Sequence, residues 1–182
     1  MEWRALLEDL EAQFDGAHAL ELATEVADRT RREAARLRLV DRLAPAVGAV
    51  VGVAVGAAGV VRGELLAVGS EWALLAEPAG REALVPLAGV SWVEGLSIRS
   101  REPLAQAAVE SRLGLGHALR ALARSRAVAS VVLRDGTVLV GTLDRVGHDF
   151  VEITDAAGGE QRRPSRGQVR TIPHGALALL RS

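Results

Sequence analysis

Residues 51–89 align without a gap onto residues 129–167, so the chain must accommodate one structural plan twice. Eleven of the 39 aligned positions are identical, where this composition would give about four by chance. The identities include Gly63 with Gly141, Leu65 with Leu143, Val68-Gly69 with Val146-Gly147, Pro86 with Pro164, and Gly89 with Gly167. Glu71-Trp72 stands opposite Asp149-Phe150, acid for acid and aromatic for aromatic.

The second copy explains the first. Val131–Leu133 and Thr137–Val140 are β-rich runs around Asp135-Gly136, a pair that favours a tight hairpin turn. The alignment then makes Val51–Val55 and Val60–Val61 strands, with Gly56–Gly59 as their turn. This bears on the run Ala44–Val61, eighteen residues without a charge and with Gly48, Gly52 and Gly56 four apart. A membrane span needs about 20 apolar residues, and this run holds six Ala and four Gly but no Leu, Ile or Phe. In water, each Gly would cost a helix about 1 kcal/mol against Ala. A β-hairpin in a buried, glycine-relieved sheet fits better, and no membrane association is expected.

Four segments follow. Residues 1–44 read as helical, with an apolar stripe at Trp3, Leu6, Leu7, Leu10 and Phe14, then a longer helix from about Ala17 to Leu43. Residues 45–98 form the first β unit. Residues 99–126 read as a helical connector, with Pro103 suited to a first turn. Residues 127–182 form the second β unit. The helical segment separates charge: residues 1–28 sum to −7, and residues 29–42 to +4. Arg29, Arg31, Arg32, Arg36, Arg38 and Arg42 either solvate a helix face, pair with acidic residues within a hairpin or homodimer, or grip phosphate.

About five short strands in fifty residues suit a small, bent barrel, because closure removes exposed edges. The second unit resembles the Sm-like (LSm) family. The motif runs Val131-x-Leu133-x-Asp135-Gly136, Leu139-x-Gly141-x-Leu143, Asp149-Phe150, then Arg166-Gly167-Gln168-Val169 and Ile172. Other SH3-like barrels, including PRC-type barrels, share the turn-Gly-x-Leu part. The resemblance implies five-stranded barrels that assemble through strand edges and often bind single-stranded RNA. It places Arg166 and Gly167 in one RNA-contacting loop and His148, with Asp149, near the other. The base-reading Asn of that family has no counterpart, since the chain has no Asn.

The expected fold class is therefore α+β: an N-terminal helical segment followed by two small Sm-like or SH3-like barrels joined by a short helical connector. No constellation for catalysis is evident. The chain has no Cys and no Lys, so thiolate metal sites and a phosphate loop are excluded, and His18, His117, His148 and His174 lack ligand spacing. The formal net charge of −1 gives no global nucleic-acid footprint. The expectation is a cytoplasmic, non-catalytic binding or scaffolding protein without cofactor or metal. It would associate with a protein partner or with itself, the latter through residues 1–44. The alternative is RNA or DNA binding through Arg166, Gly167 and His148 with Arg29, Arg32 and Arg36. In the alternating run at 90–96, an outward Trp92 would mark a contact surface.

Overall fold

The glycine-rich run is strand rather than helix. Strand β1 spans Val50–Ala54, a 3-10 turn covers Gly56–Ala58, and β2 spans Val60–Val68. Gly56 and Gly59 take φ of +41° and +77°, a region that L side chains rarely adopt, which is why this hairpin closes on glycine. The computed structural model describes residues 24–26, 28–97, 113–155 and 168–182. Among these, no helix is long and apolar enough to cross a membrane.

The chain divides after Arg38. In the N-terminal unit, residues 24–26 and 28–34 are helical, and the helix gives way to a turn at 35–36. The expected continuous helix to Leu43 is thus broken, and a separate short helix, α1 (Leu39–Leu43), opens the second unit. The stripe at residues 3–14 lies outside the described residues.

The second unit corrects the expected fold class. Two separate barrels behind a helical segment do not form; the ten strands of the described residues join one antiparallel sheet in the order β5-β1-β2-β3-β4-β10-β6-β7-β8-β9. The remaining strands are β3 (Trp72–Glu77), β4 (Arg81–Pro86), β5 (Trp92–Glu94), β6 (Val128–Leu133), β7 (Val138–Val146), β8 (Phe150–Asp155), β9 (Val169–Pro173) and β10 (Leu177–Arg181). The physical reason is that β4 does not end its half of the sheet. It pairs with β10 through Leu84↔Leu180 and Ala83↔Arg181. Hydrogen bonds in both directions between the backbones of Glu82 and Ser182 extend the seam.

Each half nevertheless follows one strand order, β5-β1-β2-β3-β4 and β10-β6-β7-β8-β9. The register irregularity between Leu65 and Ala67 recurs between Leu143 and Arg145. Beyond β3 and β8 the correspondence shifts. Trp72 pairs with Pro86, and its counterpart Phe150 pairs with Pro173, so the equivalent of Pro86 is Pro173 and not Pro164. The gapless alignment fails there because the β8–β9 connection is longer than the three-residue turn Pro78–Gly80 between β3 and β4.

Both halves bury equivalent side chains. Val51, Val53, Leu65, Ala73, Leu75 and Val85 belong to one core; Ala129, Val131, Leu143, Val151, Ile153 and Ile172 belong to the other. A short helix closes each core. Val40 and Leu43 of α1 seal the first, and Leu115 and Leu119 of α2 (Leu115–Ser125) seal the second. α2 is thus the lid of the second half rather than a mere connector. Residues 98–112 lie outside the described residues.

Gly63 and Gly141 hold equivalent places where neighbouring strands approach too closely for any side chain. A Cβ at either would stand 2.1 Å from a carbonyl oxygen, of Ala76 and Thr154 respectively. Gly63→Ala and Gly141→Ala should each destabilise the fold by about 2 kcal/mol or more, because backbone must shift. Gly175→Ala, which meets nothing within 4 Å, should leave the urea midpoint nearly unchanged. Equal midpoints for all three variants would contradict this packing.

Candidate functional site

β10 is enclosed on both faces. Leu177 and Leu180 point into the second core, Ala178 and Leu179 into the first, and all four are at most 1% exposed. A register shift between Leu177 and Leu179 interrupts the regular alternation, so that the neighbours Ala178 and Leu179 serve the same core. Arg181 then crosses from β10 to β3, where Nε and a terminal nitrogen donate to the two Glu77 carboxylate oxygens at 2.8 and 3.2 Å. The β4–β10 seam therefore combines apolar burial with a bidentate ion pair that is largely shielded from water.

The outer strands are the counterparts of that seam. β9 corresponds to β4, and β5 to β10, yet each has a neighbour on one side only among the described residues. Ala54↔Trp92 on the β1–β5 ladder matches Val132↔Leu179 on the β6–β10 ladder. Leu179 is fully buried, whereas Trp92 is 46% exposed, so Trp92 is the outward residue of its run. Next along β5, Val93 and Glu94 occupy the places of Leu180 and Arg181. On β9, Arg170 and Thr171 occupy those of Ala83 and Leu84. Arg170 pairs with Asp155, and Glu94 accepts from Arg62 at 2.7 and 3.1 Å. Charged, short outer strands discourage indiscriminate pairing while leaving room for a matched partner.

The turn between β2 and β3 is a second contact point. Ser70 N, Ser70 Oγ and Trp72 Nε1 all donate to the Leu113 carbonyl, at 3.2, 3.3 and 2.9 Å. Glu71 Oε2 accepts from Leu115 N at 3.0 Å, satisfying an amide that the first residue of α2 cannot bond within its helix. Trp72 lies across β3 from Ala73 and Leu75 and packs in the second core rather than in that of its own half. Beside it a groove of about 480 Å³ runs between α2 and the sheet, walled by Leu74, Leu84, Leu122 and Leu180.

Of the nucleic-acid candidates, Arg29, Arg32 and Arg36 belong to the first unit and His148 to the second. Arg166 and Gly167 lie outside the described residues, and so does their expected loop. His148 is exposed in the β7–β8 turn. In the N-terminal unit, Arg29, Arg32 and Arg36 line a shallow depression together with Glu25 and Glu33. Arg29 Nε donates to Glu33 at 3.0 Å, Arg31 pairs with Asp28, and Arg32 donates to the Asp28 carbonyl at 3.2 Å. Of the candidates Arg29, Arg32 and Arg36, Arg29 meets a carboxylate and Arg32 a neutral carbonyl. Among the described residues, no group of three His, Asp or Glu is arranged to hold a metal ion. Two perturbed groups lie elsewhere: hydrogen bonds from Thr137 lower the Asp135 pKa, and the Glu152 carboxylate raises that of Arg145.

Sequence reasoning missed Glu77, Glu94, Arg170 and Arg181. Each looks like a solvated strand charge until the seam register places it. Trp72→Phe should remove one donor to Leu113 and cost about 1 kcal/mol, and Glu71→Ala should cost a similar amount. Hydrogen exchange should then accelerate in the first turn of α2 while β1 and β2 stay protected; unchanged α2 exchange would refute this anchoring. No protein-family model and no curated protein match the chain.

Proposed function

We propose that this protein is a non-catalytic scaffold that joins copies of itself by pairing the β9 edge of one with the β5 edge of the next. One observation carries the reading: the two unpaired outer strands are the structural counterparts of the two strands already joined at the β4–β10 seam. A second copy added in the same way would set Arg170 opposite Glu94 and Thr171 opposite Val93, with Trp92 drawn into the contact. Asp155, Arg170, Glu94 and Arg62 would then alternate in sign across the junction. Aromatic and arginine side chains of this kind commonly anchor interfaces. The resemblance to Sm-like proteins, which assemble through strand edges, points the same way.

Such a contact is heterologous, so repetition gives a ring if its rotation closes and a filament if it does not. Thr171 in the place of Leu84 makes it more polar than the internal seam, and assembly should be reversible and weaken as salt rises. Sedimentation velocity on the full chain should show species larger than one copy at micromolar concentration. Arg170→Glu should weaken association about tenfold or more, and adding Glu94→Arg in the same chain should restore much of it. A wild-type protein that stays monomeric up to about 100 μM would end the proposal.

A further inference from the structure

The groove between α2 and the β4–β10 seam joins apolar walls to unmatched cations. Trp72, Leu74, Leu84, Leu122 and Leu180 line about 480 Å³. That volume falls within the range of about 300–1,000 Å³ usual for small-molecule sites. A second helix would not fit: 11 residues, the length of α2, displace about 1,300 Å³ at a diameter of about 10 Å. α2 turns Ala118, Ala121 and Ser125 toward the groove. Arg124 lies beside Ser125 and three residues beyond Ala121, and Arg126 stands between two lining residues, Ser125 and Ala127. Both arginines are exposed, and neither side chain has a hydrogen-bond or ion-pair partner among the described residues. The sheet treats its arginines differently, for Arg62, Arg145, Arg170 and Arg181 each meet a carboxylate. Arg181 also lines the groove, and the carboxylate in the lining is Glu82 on β4.

We propose that this groove binds an amphiphile with one aliphatic chain and one anionic head group, a long-chain carboxylate being the simplest case. The site goes beyond the edge-to-edge reading above and does not depend on it. The chain would lie along the leucines and Trp72, where recognition comes from buried apolar area alone. The head group would sit at the C-terminal end of α2 and accept hydrogen bonds from Arg124 and Arg126, which set the sign of its charge.

Calorimetric titration of the full chain tests this with two probes. One is dodecanoate below its micelle-forming concentration; the other is dodecyltrimethylammonium, which carries the same chain on a cationic head. Dodecanoate should saturate one site per chain and bind at least about tenfold more tightly than the ammonium. Arg124→Gln with Arg126→Gln should weaken dodecanoate about tenfold and leave the ammonium unweakened. Ala121→Phe, which fills the groove from an exposed helix position, should weaken both probes, whereas Val140→Phe, exposed on β7, should weaken neither. Dodecanoate binding that does not saturate below about 1 mM, equal affinity for the two head groups, or full affinity in a folded Ala121→Phe chain would each overturn the proposal. A double arginine variant that lowers the urea midpoint yet keeps the preference for dodecanoate would also overturn it, because the arginines would then serve only the end of α2.

Discussion

Strand β10 is the element on which the second unit depends. A central strand with both faces buried needs apolar residues on both sides, and Leu177, Ala178, Leu179 and Leu180 supply four in succession. Alternation along a regular strand already divides side chains between two faces, and the irregularity after Leu177 turns the neighbours Ala178 and Leu179 into the same core. The consequence is mutual dependence: each half completes its hydrophobic cluster with side chains from the other. Val132, Ala178 and Leu179 enter the first, while Trp72 and Leu84 enter the second. Either half alone would leave part of its core uncovered.

Around that strand, glycine sets how tightly the sheet can fold back. At Gly63 and Gly141 the carbonyl of the adjacent strand occupies the space a methyl group would need, and next to each the ladder slips by one residue. Close approach and slippage together bend the sheet so that inward residues converge. Polar contacts then fix what apolar packing leaves loose. The Glu71 carboxylate and the Trp72 indole position the start of α2, and Arg181 bridges to Glu77.

Much of this was legible in the sequence. The Asp135-Gly136 turn and the strand character of Val51–Val55 and Val60–Val61 follow from local patterns and the internal repeat, which also gave the equivalence of Gly63 with Gly141. The joining of the halves was not legible. Nothing in "LALLR" distinguishes a strand that closes its own barrel from one that also pairs with a distant strand; that choice is made by Leu84 and Ala83, almost a hundred residues earlier. The gapless alignment of the two copies met the same limit. A continuous offset cannot register a longer β8–β9 connection, so Pro86 was matched to Pro164 when its structural counterpart is Pro173. Among the candidate contact residues, Trp92 was readable from alternation, while Glu94 and Arg170 acquire meaning only through register.

The position of β10 also has a consequence for biosynthesis. It follows the other strands of the described residues in chain order yet lies in the middle of the sheet, between β4 and β6. On a ribosome adding about 5–20 residues per second, β4 emerges roughly 5–20 seconds before the strand that will cover it. During that interval the nascent first half presents an uncovered, partly apolar margin bearing Leu84. Crowded polysomes would favour mispairing there between neighbouring nascent chains, so prompt arrival of the later segment, or a chaperone shielding the margin, becomes a condition for correct maturation.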